Sequence, residues 1–158
     1  MGAGKSTLGR HLARRLDRPF FDADRVIEER TGADIPWIFD MEGEEGFRRR
    51  EQAVIEEFTS RPGIVLATGG GAVLDEQNRR NLHERGITIY LWTPVAVQLA
   101  RTRKDRSRPL LQADDPQEVL EKLMSERDPL YREVAHHVVS TSSGNLRKVT
   151  EDVLARVS

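Results

Sequence analysis

The sequence predicts an α/β fold, a parallel sheet with helices on both faces, and three observations carry that expectation. Short apolar runs alternate with amphipathic stretches along all 158 residues. Two of the apolar runs, Ile64 to Thr68 and Ile87 to Trp92, are continuous, the sign of strands buried on both faces. A glycine-rich turn, Gly2-Ala3-Gly4, opens the first helix. Chains that alternate in this way bury their apolar surface by laying helices over a parallel sheet.

Gly4 to Leu16 reads as a helix with Leu8, His11, Leu12, Arg15 and Leu16 spaced along it, broken at Arg18-Pro19. Pro19 to Asp22 is a short strand, and Arg25 to Thr31 a second helix closed by Gly32. Ile35 to Met41 and Glu44 to Ser60 are expected as two helices, with Phe47, Val54, Ile55 and Phe58 on the inner face of the longer one. Gly69-Gly70-Gly71 stops the strand at Ile64 to Thr68, and Asp75 to Arg85 is helical. After the strand ending at Trp92, Pro94 opens a helix at its first turn. A basic segment, Arg101, Arg103, Lys104, Arg106 and Arg108, leads to a helix from about Pro116 to Glu126. His137 to Thr141 is the last strand and Leu146 to Val157 the closing helix.

Composition bounds what such a domain does. Hydrophobic residues at 37% and charged residues at 32% suit a soluble globular protein. A net charge of −1 gives no electrostatic footprint for nucleic acid. No run approaches the roughly 18 apolar residues of a membrane span, so no membrane helix is expected. Without cysteine there are no disulfides and no thiolate metal sites. With no signal peptide in view, the expected location is the cytoplasm. No repeat, linker or low-complexity stretch divides the chain, so residues 1–158 form a single domain.

Gly2-Ala3-Gly4-Lys5-Ser6-Thr7 matches the second half of the phosphate-binding loop G-x-x-x-x-G-K-[ST]. Glycines let backbone N–H groups curl around a phosphate, and the helix that follows adds its positive end. Lys5 places a cation on the β- and γ-phosphates of ATP, and Ser6 offers its hydroxyl to Mg²⁺. The full loop has a further glycine and a strand ahead of Met1, so the expectation is that this methionine is internal to a longer chain.

Other residues point to an acceptor substrate. Asp22 and Asp24 sit at the carboxyl end of a short strand, where α/β sheets place ligands. Facing opposite sides, they suit different work: Asp22 on Mg²⁺ through water, Asp24 on a substrate hydroxyl, with a helix N-cap the plainer alternative. Arg48 and Glu51, three apart on a helix, read either as a surface ion pair or as an arginine held to grip an anion. Gly69-Gly70-Gly71 is a flexible turn or a place of close backbone approach to a ligand. Arg127 reads as a helix C-terminal cation, and Trp37, His136 and His137 as packing or surface residues.

Together these stretches resemble shikimate kinase over essentially the whole chain. The carrying segments are GAGKST (2–7), FFDAD (20–24), GADIPWIFDMEGEEGFRRRE (32–51), ATGGGAV (67–73), RPLL (108–111) and ERDPLYREVA (126–135). The resemblance implies a P-loop NTPase-like five-stranded parallel sheet, with the first strand missing from this chain, and a mobile lid over about 103–114. A substrate-binding segment would span about 22–51. The implied reaction carries the ATP γ-phosphoryl group to the 3-hydroxyl of shikimate, on the route to chorismate and aromatic amino acids. Asp24, Arg48, Gly69, Gly70, Gly71 and Arg127 would bind shikimate, the two arginines on its carboxylate. Asp24, Lys5 and Arg108 would be catalytic, the last two neutralising phosphate charge. Gly2, Ala3, Gly4, Lys5, Ser6, Thr7, Arg101 and Arg108 would hold the nucleotide, and Ser6 and Asp22 the Mg²⁺. The enzyme would act as a monomer.

Overall fold

The computed structural model describes residues 5–102, 115–141 and 145–157, with the side chains of 101 and 102 outside that description. In chain order the elements are α1 (Lys5–Leu16), β1 (Phe20–Asp22), α2 (Ala23–Thr31), α3 (Ile35–Thr59), β2 (Val65–Ala67) and a 3₁₀ turn (Gly70–Leu74). They continue as α4 (Glu76–Glu84), β3 (Ile89–Trp92), α5 (Val95–Thr102), α6 (Pro116–Val134), β4 (His137–Ser140) and α7 (Leu146–Val157). The alternation of strand and helix is the one expected.

Local chemistry sets the boundaries. Asp22, Asp34, Asp75 and Asp115 each cap a helix by accepting backbone N–H bonds from its first turn. Gly32 closes α2 at φ 71°. Gly43, at φ 73° and ψ 176°, breaks α3 between the two helical runs anticipated from sequence. One expectation needs correction. The helix predicted to stop near Glu126 runs on to Val134 through Pro129, so Arg127 lies inside α6 rather than at its end. A proline costs a mid-helix bond, but here the packed face of Leu120, Arg127 and Val134 spans the break.

The strands form two parallel pairs. Phe20 to Asp22 align with Val65 to Ala67, and Ile89 to Trp92 align with His137 to Ser140. Each pair has its own core. Ala23, Ile27, Ile38, Phe47, Val54 and Phe58 cluster beside β1 and β2. Leu8, Val139, Val149 and Val153 cluster beside β3 and β4. α1 and α7 pack on each other, while α6 packs on α4, α5 and the 3₁₀ turn.

Between the pairs lies a cavity of about 440 Å³, lined among others by Leu12, Val65, Leu66, Ile89, Leu91 and Val153. It explains a second correction. The strands expected to be buried on both faces are only partly so: Ala67 alone is buried in β2, and β3 is half-buried throughout. Each has a strand neighbour on one flank only, among the described residues, and its other flank looks into the cavity. The two described pairs are both parallel, as the expected fold requires. No helix among the described residues is long and apolar enough to cross a membrane.

Candidate active site

The carboxyl ends of β1 and β2 meet the first turn of α1. Ser6 Oγ donates to Asp22 Oδ2 at 2.6 Å, while Asp22 Oδ1 accepts the N–H groups of Asp24 at 3.0 Å and Arg25 at 3.4 Å. Asp22 is therefore both the N-cap of α2 and the partner of Ser6. A serine and a carboxylate oxygen this close fit a hard cation that keeps several waters and takes further oxygens from phosphate. No group of three or more His, Cys, Asp or Glu side chains able to hold a metal occurs among the described residues, so such an ion would be shared with substrate. Thr7 is exposed on α1, and Lys5 lines the cavity with Gly69, Gly70 and Arg127. Gly2, Ala3, Gly4 and Arg108 lie outside the described residues, as does the expected lid at 103–114. Arg101 belongs to α5, and its side chain is outside the description.

The glycine triplet is the wall on which the other predicted residues converge. A Cβ placed on Gly69 would stand 3.0 and 3.2 Å from the Asp24 carboxylate oxygens and 3.4 Å from Glu51 Oε2. On Gly70 it would meet Tyr131 Oη at 3.0 Å and Arg127 Nη1 at 3.4 Å. On Gly71 it would collide with the Arg48 guanidinium, 2.6 Å from Cζ. Each glycine is thus covered by a different polar side chain, and no side chain could be added without displacing one. Ala72 N–H donates to Gly69 C=O at 3.2 Å, which starts the 3₁₀ turn and fixes the triplet against the end of β2.

The charges around this wall are unequal in their surroundings. Glu51, only 1% exposed, accepts from Arg48 Nη1 at 2.8 Å. Burial raises the Glu51 pKa, the Asp24 charge adds to that, and the Arg48 and Arg127 charges oppose it. Arg48 Nη2 also donates to Glu44 Oε1 at 3.3 Å, and the guanidinium lies over the Phe47 ring, 5.3 Å from its centroid. Arg48 Nε and Glu51 Oε2 are buried without a hydrogen-bond partner among the described residues, so the site holds polar capacity that its own side chains leave unmet. Arg127 is 6% exposed and, unlike its neighbour Arg132, joins no ion pair among the described residues. Its place inside α6 excludes the helix-end reading of Arg127, and its charge acts on both Glu51 and Tyr131.

Sequence reasoning passed over Tyr131. It stands four residues after Arg127 on α6, hence on the same face, and its hydroxyl donates to Gly70 C=O at 2.7 Å. Burial raises its pKa, against the opposing pull of the Arg127 guanidinium. The signal available in sequence was that four-residue spacing. Of the residues set aside, Trp37 is 53% exposed, and His136 stacks on His83 with ring centroids 4.4 Å apart.

Comparison with known proteins identifies the family. A family model described as shikimate kinase matches residues 1–158. The shikimate kinase of Vibrio parahaemolyticus is 58% identical over 154 residues, covering 98% of this chain and 90% of that protein. That of Halorhodospira halophila is 60% identical over 154 residues, covering 98% and 87%. A solved shikimate kinase from Acinetobacter baumannii in complex with shikimate superposes with a TM-score of 0.97 at 54% identity, covering 99% of this chain and 88% of that one. Lys5, Ser6, a carboxylate pair, two arginines and a glycine wall thus coincide with full-length similarity, and the chain belongs to the shikimate kinase family.

Proposed function

We propose that this chain transfers the γ-phosphoryl group of ATP to the 3-hydroxyl of shikimate, giving shikimate 3-phosphate and ADP, as a cytoplasmic monomer. The observation that carries the reading is Arg127, a buried cation without an ion-pair partner among the described residues, set against Gly70. With Arg48 against Gly71 and Asp24 against Gly69, it supports an acceptor bearing a carboxylate at one end and hydroxyls at the other.

In this reading the whole of 1–158 is one P-loop kinase domain, with the segment 22–51 on the substrate and 103–114 as the lid. Arg48 and Arg127 hold the carboxylate, and the glycine wall lets the ring approach the backbone. Asp24 accepts a hydrogen bond from the attacking hydroxyl, orients it and takes its proton as the phosphoryl group arrives. Lys5 and Arg108 balance charge on the transferring group, while residues 2–7 and Arg101 hold the nucleotide. Mg²⁺, when bound, neutralises phosphate charge, and Ser6 and Asp22 are the oxygens that suit it. Because phosphoryl transfer needs little base strength, alignment by Asp24 counts for more than its basicity.

The test is ADP release measured with shikimate, with a neutral polyol and with no acceptor. Shikimate-dependent turnover, lowered at least about 100-fold by Arg108→Ala, is expected. Equal turnover with the polyol, or ADP release independent of acceptor, would overturn the assignment.

A further inference from the structure

The geometry points to Tyr131 as a positioning residue for the acid-binding wall: through its bond to Gly70 C=O it fixes the peptide plane between the two arginines. The inference builds on the shikimate reading and adds a residue to it.

Three contacts support it. Tyr131 Oη donates to Gly70 C=O at 2.7 Å, and Oη is also the nearest atom to the space a Gly70 side chain would occupy. Arg127, one turn earlier on the same helix, faces the same glycine. The hydroxyl thus ties the α6 face that carries Arg127 to the backbone that Arg48 lies against. A trans peptide points its C=O and the following N–H in opposite directions. Holding Gly70 C=O toward Tyr131 therefore turns the Gly71 N–H away from α6.

Gly70 is conformationally free in a way that other residues are not, so without an anchor this peptide could rotate. The ring is itself anchored. It packs on Tyr90 with centroids 4.8 Å apart, and Tyr90 Oη donates to Asp128 Oδ1 at 2.8 Å. Among the described residues Tyr90 makes no hydrogen bond to the glycine wall, which makes it a control: it belongs to the same aromatic pair without the Gly70 bond.

The experiment compares Tyr131→Phe and Tyr90→Phe with the unaltered chain, by calorimetric binding of shikimate and of ATP and by thermal denaturation. Losing a hydroxyl that serves a half-buried carbonyl should weaken shikimate binding about 5- to 50-fold in Tyr131→Phe. ATP binding should stay within about twofold, and Tyr90→Phe should leave shikimate binding within about twofold. The carboxamide of shikimate adds the decisive readout. Since Tyr131 acts through the carboxylate-binding wall, Tyr131→Phe and the unaltered chain should bind the carboxamide with similar affinity.

Unchanged shikimate binding in Tyr131→Phe overturns the inference while leaving the functional reading intact. So does an equal loss of both ligands in both variants together with a lower melting temperature, which would mark the aromatic pair as purely structural. If the unaltered chain fails to bind shikimate, the functional reading falls and this inference with it. Should Tyr131→Phe not fold, Tyr131→Met, a smaller and flexible apolar side chain without the hydroxyl, is held to the same pattern.

Discussion

Replacing Arg127 by methionine should move binding and stability in different directions. Losing a desolvated contact between an arginine and a substrate carboxylate costs about 2–5 kcal/mol. Arg127 is only 6% exposed, so the middle to upper part of that range applies, about 3–4 kcal/mol or roughly 150- to 850-fold in Kd. Without ligand the same change removes a buried cation that has no ion-pair partner among the described residues and fills its space with apolar atoms. Folding stability should then hold or rise. Thermal or denaturant unfolding with and without shikimate reads both effects at once. At 100 times its Kd, shikimate should stabilise the unaltered chain by about 2.7 kcal/mol. At that same concentration a variant bound 150-fold more weakly should gain only about 0.3 kcal/mol. A variant that keeps the full ligand-induced gain would show that Arg127 does not hold the carboxylate. One that loses more than about 2 kcal/mol without ligand would show that Arg127 is structural.

Other perturbations separate neighbouring roles. Asp24→Ala should abolish turnover while ATP still binds, and Asp24→Asn should keep measurable activity if alignment outweighs basicity; Asp22→Asn should instead raise the Mg²⁺ concentration needed for half-maximal rate. Glu51 has its pKa raised above the ordinary 4.5, chiefly by burial. The folded state therefore holds its proton longer than the unfolded one, and this group's contribution to stability is full below about 4.5 and lost as pH rises through the folded value. Glu51→Gln should flatten that part of a stability-versus-pH curve, and an unchanged slope would refute the shift. At Gly9 on α1 a Cβ would lie 3.1 Å from Phe20 Cδ1 and closer still to Cε1, so Gly9→Ala should lower folding stability by about 1–3 kcal/mol, read as a lower denaturant midpoint.

Much of this site was legible because its residue types have few other uses at such spacings. The Gly-Ala-Gly-Lys-Ser run, the aspartates after a three-residue strand and the glycine triplet after another announce a ligand at one end of the strands. The Arg48–Glu51 pair was visible as a spacing, but its burial was not, because the neighbouring arginines make the segment look like a solvated face. Arg127 was misplaced at a helix end because Pro129 reads as a stop, and only tertiary packing carries α6 past it. Tyr131 escaped notice because its role is to bond a backbone carbonyl 61 residues away, which no local pattern records. The strand burial was overestimated for a related reason: a continuous apolar run states what a strand prefers beside it, not what it has.

The glycine wall, approached by arginines from two different helices, bears on mechanics as well as on recognition. Arg48 hangs from α3, whose inner face belongs to one core, while Arg127 hangs from α6, which Tyr90 fastens to β3 in the other pair. The glycine wall sits at the seam. An acid gripped by both arginines would act as a cross-brace over that seam, so part of its binding free energy would appear as cohesion between the halves. Linkage makes the relation reciprocal. Amide exchange in β2 and β3 should slow together when shikimate binds, although neither strand carries a residue assigned to it.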